Sequence, residues 1–108
     1  MTLTPFDYHD QPVRVIHELT ARAHIAPTPA TTYDAEAFTA TEATWTLYVY
    51  DSGMPLAVTT LLSADYEHSV SDSRYADPAD TACWPQAMPQ PPAWLDTAAR
   101  QMLTEAPR

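Results

Sequence analysis

Residues 44–70 read TWTLYVYDSGMPLAVTTLLSADYEHSV, and this stretch decides the fold. Trp45, Leu47 and Val49 alternate with Thr44, Thr46, Tyr48 and Tyr50, a period of two in residues that suit an extended chain. After the break, Val58, Thr60, Leu62, Ala64, Tyr66, His68 and Val70 share one side. Ala57, Thr59, Leu61, Ser63, Asp65, Glu67 and Ser69 share the other. Between the runs stands Asp51-Ser52-Gly53-Met54, which holds the chain's single glycine. A hairpin loop commonly needs one residue at positive φ, and glycine supplies it without a steric penalty. A long β-hairpin over about 44–70 is therefore expected.

A two-residue turn at Ser52-Gly53 sets Val49 opposite Leu56, Leu47 opposite Val58 and Trp45 opposite Thr60. That register gathers Trp45, Leu47, Val49, Val58 and Leu62 on one buried face. A three-residue loop with a bulge would shift the partners by one and mix the faces.

Working outward, Asp10-Gln11-Pro12 reads as a helix start, with a capping side chain followed by proline near the first turn. Val13, Ile16, Leu19 and Ala23 then fall at helical spacing, and Pro27 and Pro29 end the pattern. This predicts an N-terminal helix over about 11–25. A short strand at Val13-Arg14-Val15-Ile16 competes with it. Residues 31–43 are rich in Thr and Ala and fit a third strand, an extension of the first hairpin strand, or a short helix. Residues 71–92 are irregular, with prolines at 78, 85, 89, 91 and 92. Leu95, Ala98, Ala99, Met102 and Leu103 then predict a C-terminal helix over about 92–105. The expected class is α+β, a single domain over 1–108: an antiparallel sheet centred on the hairpin, packed against two helices.

Charge is the clearest functional signal. Fourteen acids face five Arg and no Lys, for a formal net charge of −9. Phosphate backbones and anionic lipid repel such a chain, so direct nucleic-acid and membrane binding are not expected. A protein with a basic surface is the favoured partner, and a homodimer is compatible with the sequence. The N-terminal stretch carries no basic and apolar leader pattern, so a cytoplasmic location is expected.

Motifs for chemistry are scarce. One glycine leaves no phosphate-cradling loop. Cys83 stands alone between Ala82 and Trp84 and reads as a small buried hydrophobe. His17-Glu18 lacks a second histidine at position 21, so the zincin pattern is broken. A metal site would have to draw on His9, Asp10, His17 or His68, and no cofactor is expected.

The sequence therefore points to a non-enzymatic acidic binding protein, an inhibitor, adaptor or regulator that acts by docking. One narrower form is a mobile-element inhibitor of a nucleic-acid-handling complex, with carboxylates standing in for phosphates. The candidate contact residues are Asp65 and Glu67 on a wet strand face, with Asp72, Asp77 and Asp80 in the irregular segment that follows. Trp84, Met88 and Trp94 in the proline-rich segment form a second candidate, either as interface anchors or folded back over the sheet. The alternative is a small enzyme or ligand-binding domain with a pocket near Tyr66 and His68.

Overall fold

The computed structural model describes residues 14–51, 55–77, 79 and 82–105. Four antiparallel strands, β1 (Val15–Thr31), β2 (Ala37–Tyr50), β3 (Pro55–Ser63) and β4 (Ser69–Tyr75), form one sheet, and helix α1 (Ala93–Glu105) follows. The sheet order is β1-β2-β3-β4, so each strand pairs only with its chain neighbours. No described helix is long and apolar enough to cross a membrane.

The first correction concerns the N-terminal segment. Residues 15–31 form strand β1, where a helix over 11–25 was expected. Leu19, Ala21, Ala23 and Ile25 alternate with Glu18, Thr20, Arg22 and His24, and alanine serves either period equally well. Pairing with β2 along nearly its whole length supplies backbone partners and decides between the two. Pro27 and Pro29 fit because β1 is an edge strand, and the β1–β2 register shifts between His24 and Thr28. The proposed cap at Asp10-Gln11-Pro12 lies outside the described residues. Residues 32–36 make the β1–β2 turn, and Ala37–Ala43 extend β2 at its start.

The second correction is the register of the central hairpin. Trp45 lies opposite Thr59, Leu47 opposite Ala57 and Val49 opposite Pro55. Every partner is one residue earlier than a Ser52-Gly53 turn would give. Val58 and Leu62 therefore leave the buried face, and Ala57, Thr59 and Leu61 replace them. Small residues on β3 make room there for the segment that closes the core. Trp84, Leu95, Ala99 and Leu103 are buried against Trp45, Leu47, Ala57 and Leu61.

The third correction is that the run to Val70 is broken. Residues 64–68 form a turn, so the expected second strand is two strands, β3 and β4. The C-terminal helix starts at Ala93 as the sequence predicts. Its buried Leu95, Ala99 and Leu103 recur every four residues, one stripe laid on the sheet. Asp96 complements the positive N-terminal end of the helix and pairs with Arg100 at 3.4 Å. The Trp45 indole donates to the Pro89 carbonyl at 3.0 Å, which pins the proline-rich segment to the same face.

The opposite face has no described element over it. Across it run the rows Glu18–Tyr48–Leu56–Tyr75, Thr20–Thr46–Val58–Ser73 and Arg22–Thr44–Thr60–Ser71. Hydroxyls link neighbouring strands within these rows, Thr20 to Thr46 at 3.1 Å and Thr60 to Ser71 at 2.7 Å. The rings of Tyr48 and Tyr50 stack 6.3 Å apart.

Candidate functional site

The β1–β2 and β3–β4 turns lie at the same end of the meander, and side chains knit them together. In the first turn, Thr32 accepts the Glu36 N–H on its hydroxyl at 3.0 Å, and Ala35 takes a left-handed φ of 67°. In the second, the Ser63 hydroxyl donates to Asp65 Oδ1 at 2.6 Å and accepts the His68 N–H at 3.1 Å. The Glu67 N–H donates to the same Asp65 oxygen at 3.0 Å. A short acidic side chain folded back on its own backbone is a turn-forming device, and it lets Tyr66 hold a φ of 60° without glycine. These donors favour the ionised carboxyl: Ser63 first, then the Glu67 N–H, hold Asp65 below the usual aspartate range.

Three contacts cross between the turns and their strands. His68 Nε2 lies 3.2 Å from Glu36 Oε2. The Phe38 ring stacks on the His68 imidazole, with centroids 5.8 Å apart. The Tyr33 hydroxyl donates to the Ser71 carbonyl and accepts the Ser71 N–H at 3.3 Å. Between the turns lies an open hollow of about 260 Å³ lined by Thr32, Tyr33, Asp34, Glu36, Glu67, His68 and Ser69. Asp34, Glu36, Asp65 and Glu67 are all exposed here, and neither turn holds an Arg or Lys.

Arg22 is committed elsewhere. Its Nε lies 2.8 Å from Oε2 of the buried Glu42, and its guanidinium sits 5.3 Å from the Tyr66 ring centre. Glu42 Oε2 has no aligned hydrogen bond despite that short distance, so the pair is held by charge rather than by a directed N–H. The Tyr66 hydroxyl donates to Glu42 Oε1 at 3.2 Å. Tyr66 therefore serves the open sheet face and not the hollow that His68 lines.

The acids expected to form one row are dispersed. Asp65 and Glu67 sit in the turn rather than on a strand. Asp72 lies on β4 and accepts the Ser73 N–H at 2.9 Å, and Asp77 accepts the Ala79 N–H at 2.9 Å. Asp80 lies outside the described residues. Of the apolar candidates, Trp84 is fully buried and Met88 packs against the core, while Trp94 is 62% exposed. Trp84 thus belongs to the fold, and only Trp94 faces outward. His17 lies on β1 beside α1 and His68 in the far turn, while His9 and Asp10 lie outside the described residues. No three metal-ligating groups converge among the described residues.

Sequence reasoning missed Tyr33, Asp34 and Glu36 as members of this end. The signal that would have found the second turn was Ser63-Ala64-Asp65, a hydroxyl and a carboxylate placed to cap it. Nothing in residues 31–43 signals that Tyr33 would reach a strand 38 positions away. Comparison with known proteins gives no match: no family model fits the chain, and no curated protein or solved structure is similar to it.

Proposed function

We propose that this chain is a non-enzymatic docking protein whose acidic turn end engages a basic patch on another protein, as an inhibitor, adaptor or regulator. One observation carries the reading: two turns from distant parts of the chain are tied into one unit that groups Asp34, Glu36, Asp65 and Glu67 with no Arg or Lys in either turn. Charges held on a rigid frame steer a complementary surface and lose little entropy on binding. An inhibitor of a nucleic-acid-handling complex is the narrower form, with these carboxylates meeting side chains that otherwise hold phosphate.

Asp34 and Glu67 provide the test, because their carboxylates line the hollow and neither caps a turn. The wild-type chain and an Asp34→Lys/Glu67→Lys variant are used to capture proteins from a lysate of the source cells. A partner held by the wild type, released by added salt and lost with the variant supports the reading. Equal capture by both chains, or capture indifferent to salt, overturns it.

A second reading follows from the hollow itself: a small cationic ligand among Asp34, Glu36, Glu67 and the Tyr33 ring, with His68 at its wall. Nuclear magnetic resonance of His68 during addition of arginine or a polyamine tests it. Shifts confined to residues 32–36 and 67–69 support it, and an unperturbed His68 excludes it.

A further inference from the structure

We propose that β1 is a dimerisation edge, on which a second copy of this chain adds its own β1 antiparallel to continue the sheet. The two edges of the meander are finished differently. On β4 the Tyr33 hydroxyl takes both the N–H and the carbonyl of Ser71 and interrupts any added strand at its middle. On β1 the second half is blunted by the register shift between His24 and Thr28 and by Pro27 and Pro29, which lack an N–H. Ahead of these, His17 to His24 has no such device, and a second register shift between Val15 and His17 marks its start. This run contains no proline or glycine and keeps unbroken register with β2 from His17 to His24. Its outer side has no strand neighbour among the described residues.

The occupant is identified by charge. Glu18 and Arg22 lie on the same open face of β1, two positions either side of Thr20, and both are exposed. When two β1 strands run antiparallel about a twofold axis at Thr20, Glu18 of one copy stands directly opposite Arg22 of the other, and the pair occurs twice. Leu19 then faces Ala21 and His17 faces Ala23, so no like charges oppose over His17 to Ala23. Opposite charges at directly paired positions are the stabilising cross-strand arrangement. An unrelated strand has no reason to match this pattern, whereas a second copy matches it by symmetry. Arg22 keeps its contact with Glu42 while doing so, because one guanidinium carries several donors in a plane. The dimer is one continuous eight-stranded sheet, with an acidic turn end available on each copy. This proposal does not rest on the docking function.

The test begins with the mass of the full chain in solution by light scattering across a concentration series. A dimer is expected for the wild type. Glu18→Arg places Arg opposite Arg at both pairs and should weaken association on the order of tenfold or more. Arg22→Glu should do the same, and an equimolar mixture of the two variants should restore a heterodimer. Because Arg22→Glu also disturbs Glu42, a second measurement avoids it: Thr20→Cys places two sulfurs at the symmetry axis, within disulfide reach. Its oxidised dimer should form far faster than that of Thr39→Cys, a position remote from the axis. A wild-type monomer at high concentration, unchanged association of Glu18→Arg, or equal crosslinking of the two cysteine variants overturns the proposal.

Discussion

The Tyr33 hydroxyl holds both backbone groups of Ser71, donating to the carbonyl and accepting the N–H at 3.3 Å. A residue of the β1–β2 turn thereby fastens the strand at the far side of the sheet, and the phenol does for β4 what a fifth strand would do. Tyr33→Phe keeps the ring and removes both bonds. It should cost about 1–2 kcal/mol of stability and speed amide exchange at Ser71 relative to the rest of β4. Unchanged exchange at Ser71 would show that the phenol does not protect the edge.

Asp65 ties the second turn to solution pH. Its folded pKa lies below the ordinary aspartate value, so its contribution is complete above that value and is lost as pH falls through the lower, folded one. Acidification below about pH 4 should release the Glu67 and His68 amides, seen as faster exchange or shifted resonances. Asp65→Asn should remove that acid-dependent step. If the Asp65 carboxyl titrates at or above the value of an unstructured aspartate, the capping account fails.

The core face and the exposed surface of α1 should respond very differently. Leu103→Ala and Leu95→Ala each empty a buried site and should cost about 2–5 kcal/mol. Trp94→Ala, one residue away from Leu95 but 62% exposed, should change stability by no more than about 0.5 kcal/mol. Urea titration of the three variants gives the comparison, and equal losses would place the helix on its other side.

Burial raises the Cys83 thiol to about 11, so almost no thiolate exists at neutral pH. Alkylation by iodoacetamide should be slow in the folded chain and should track global unfolding in urea. Prompt labelling in the absence of denaturant would contradict the burial of Cys83 in the core.

Ala35 pays for its left-handed φ with a clash that glycine does not have. Ala35→Gly should therefore stabilise the chain by up to about 1 kcal/mol, offset by the greater freedom glycine adds to the unfolded state. A lower melting temperature for this variant would show that the turn carries no strain.

Legibility in the sequence followed the strength of periodicity. Trp45, Leu47 and Val49 fixed one strand and its buried side, and Leu95, Ala99 and Leu103 fixed the helix, because each run fits only one repeat. Residues 15–25 fit two repeats at once, and long-range pairing with β2 decided between them. The register of β3 was missed because its bulky Val58 and Leu62 were assigned to the core. The core is instead filled from the other end of the chain by Trp84 and α1. The acidic end was half visible. Asp65 and Glu67 were found as charges, but their turn is closed by Tyr66 at positive φ, where sequence reading looks for glycine.

Because α1 comes after all four strands, the residues that form the sheet are made before the helix that covers it. A nascent chain leaving the ribosome would hold Trp45, Leu47 and Ala57 against water until Leu95, Ala99 and Leu103 had emerged. During that interval the uncovered sheet is a target for chaperones and a hazard for clumping, and the speed with which α1 lands sets how long the exposure lasts.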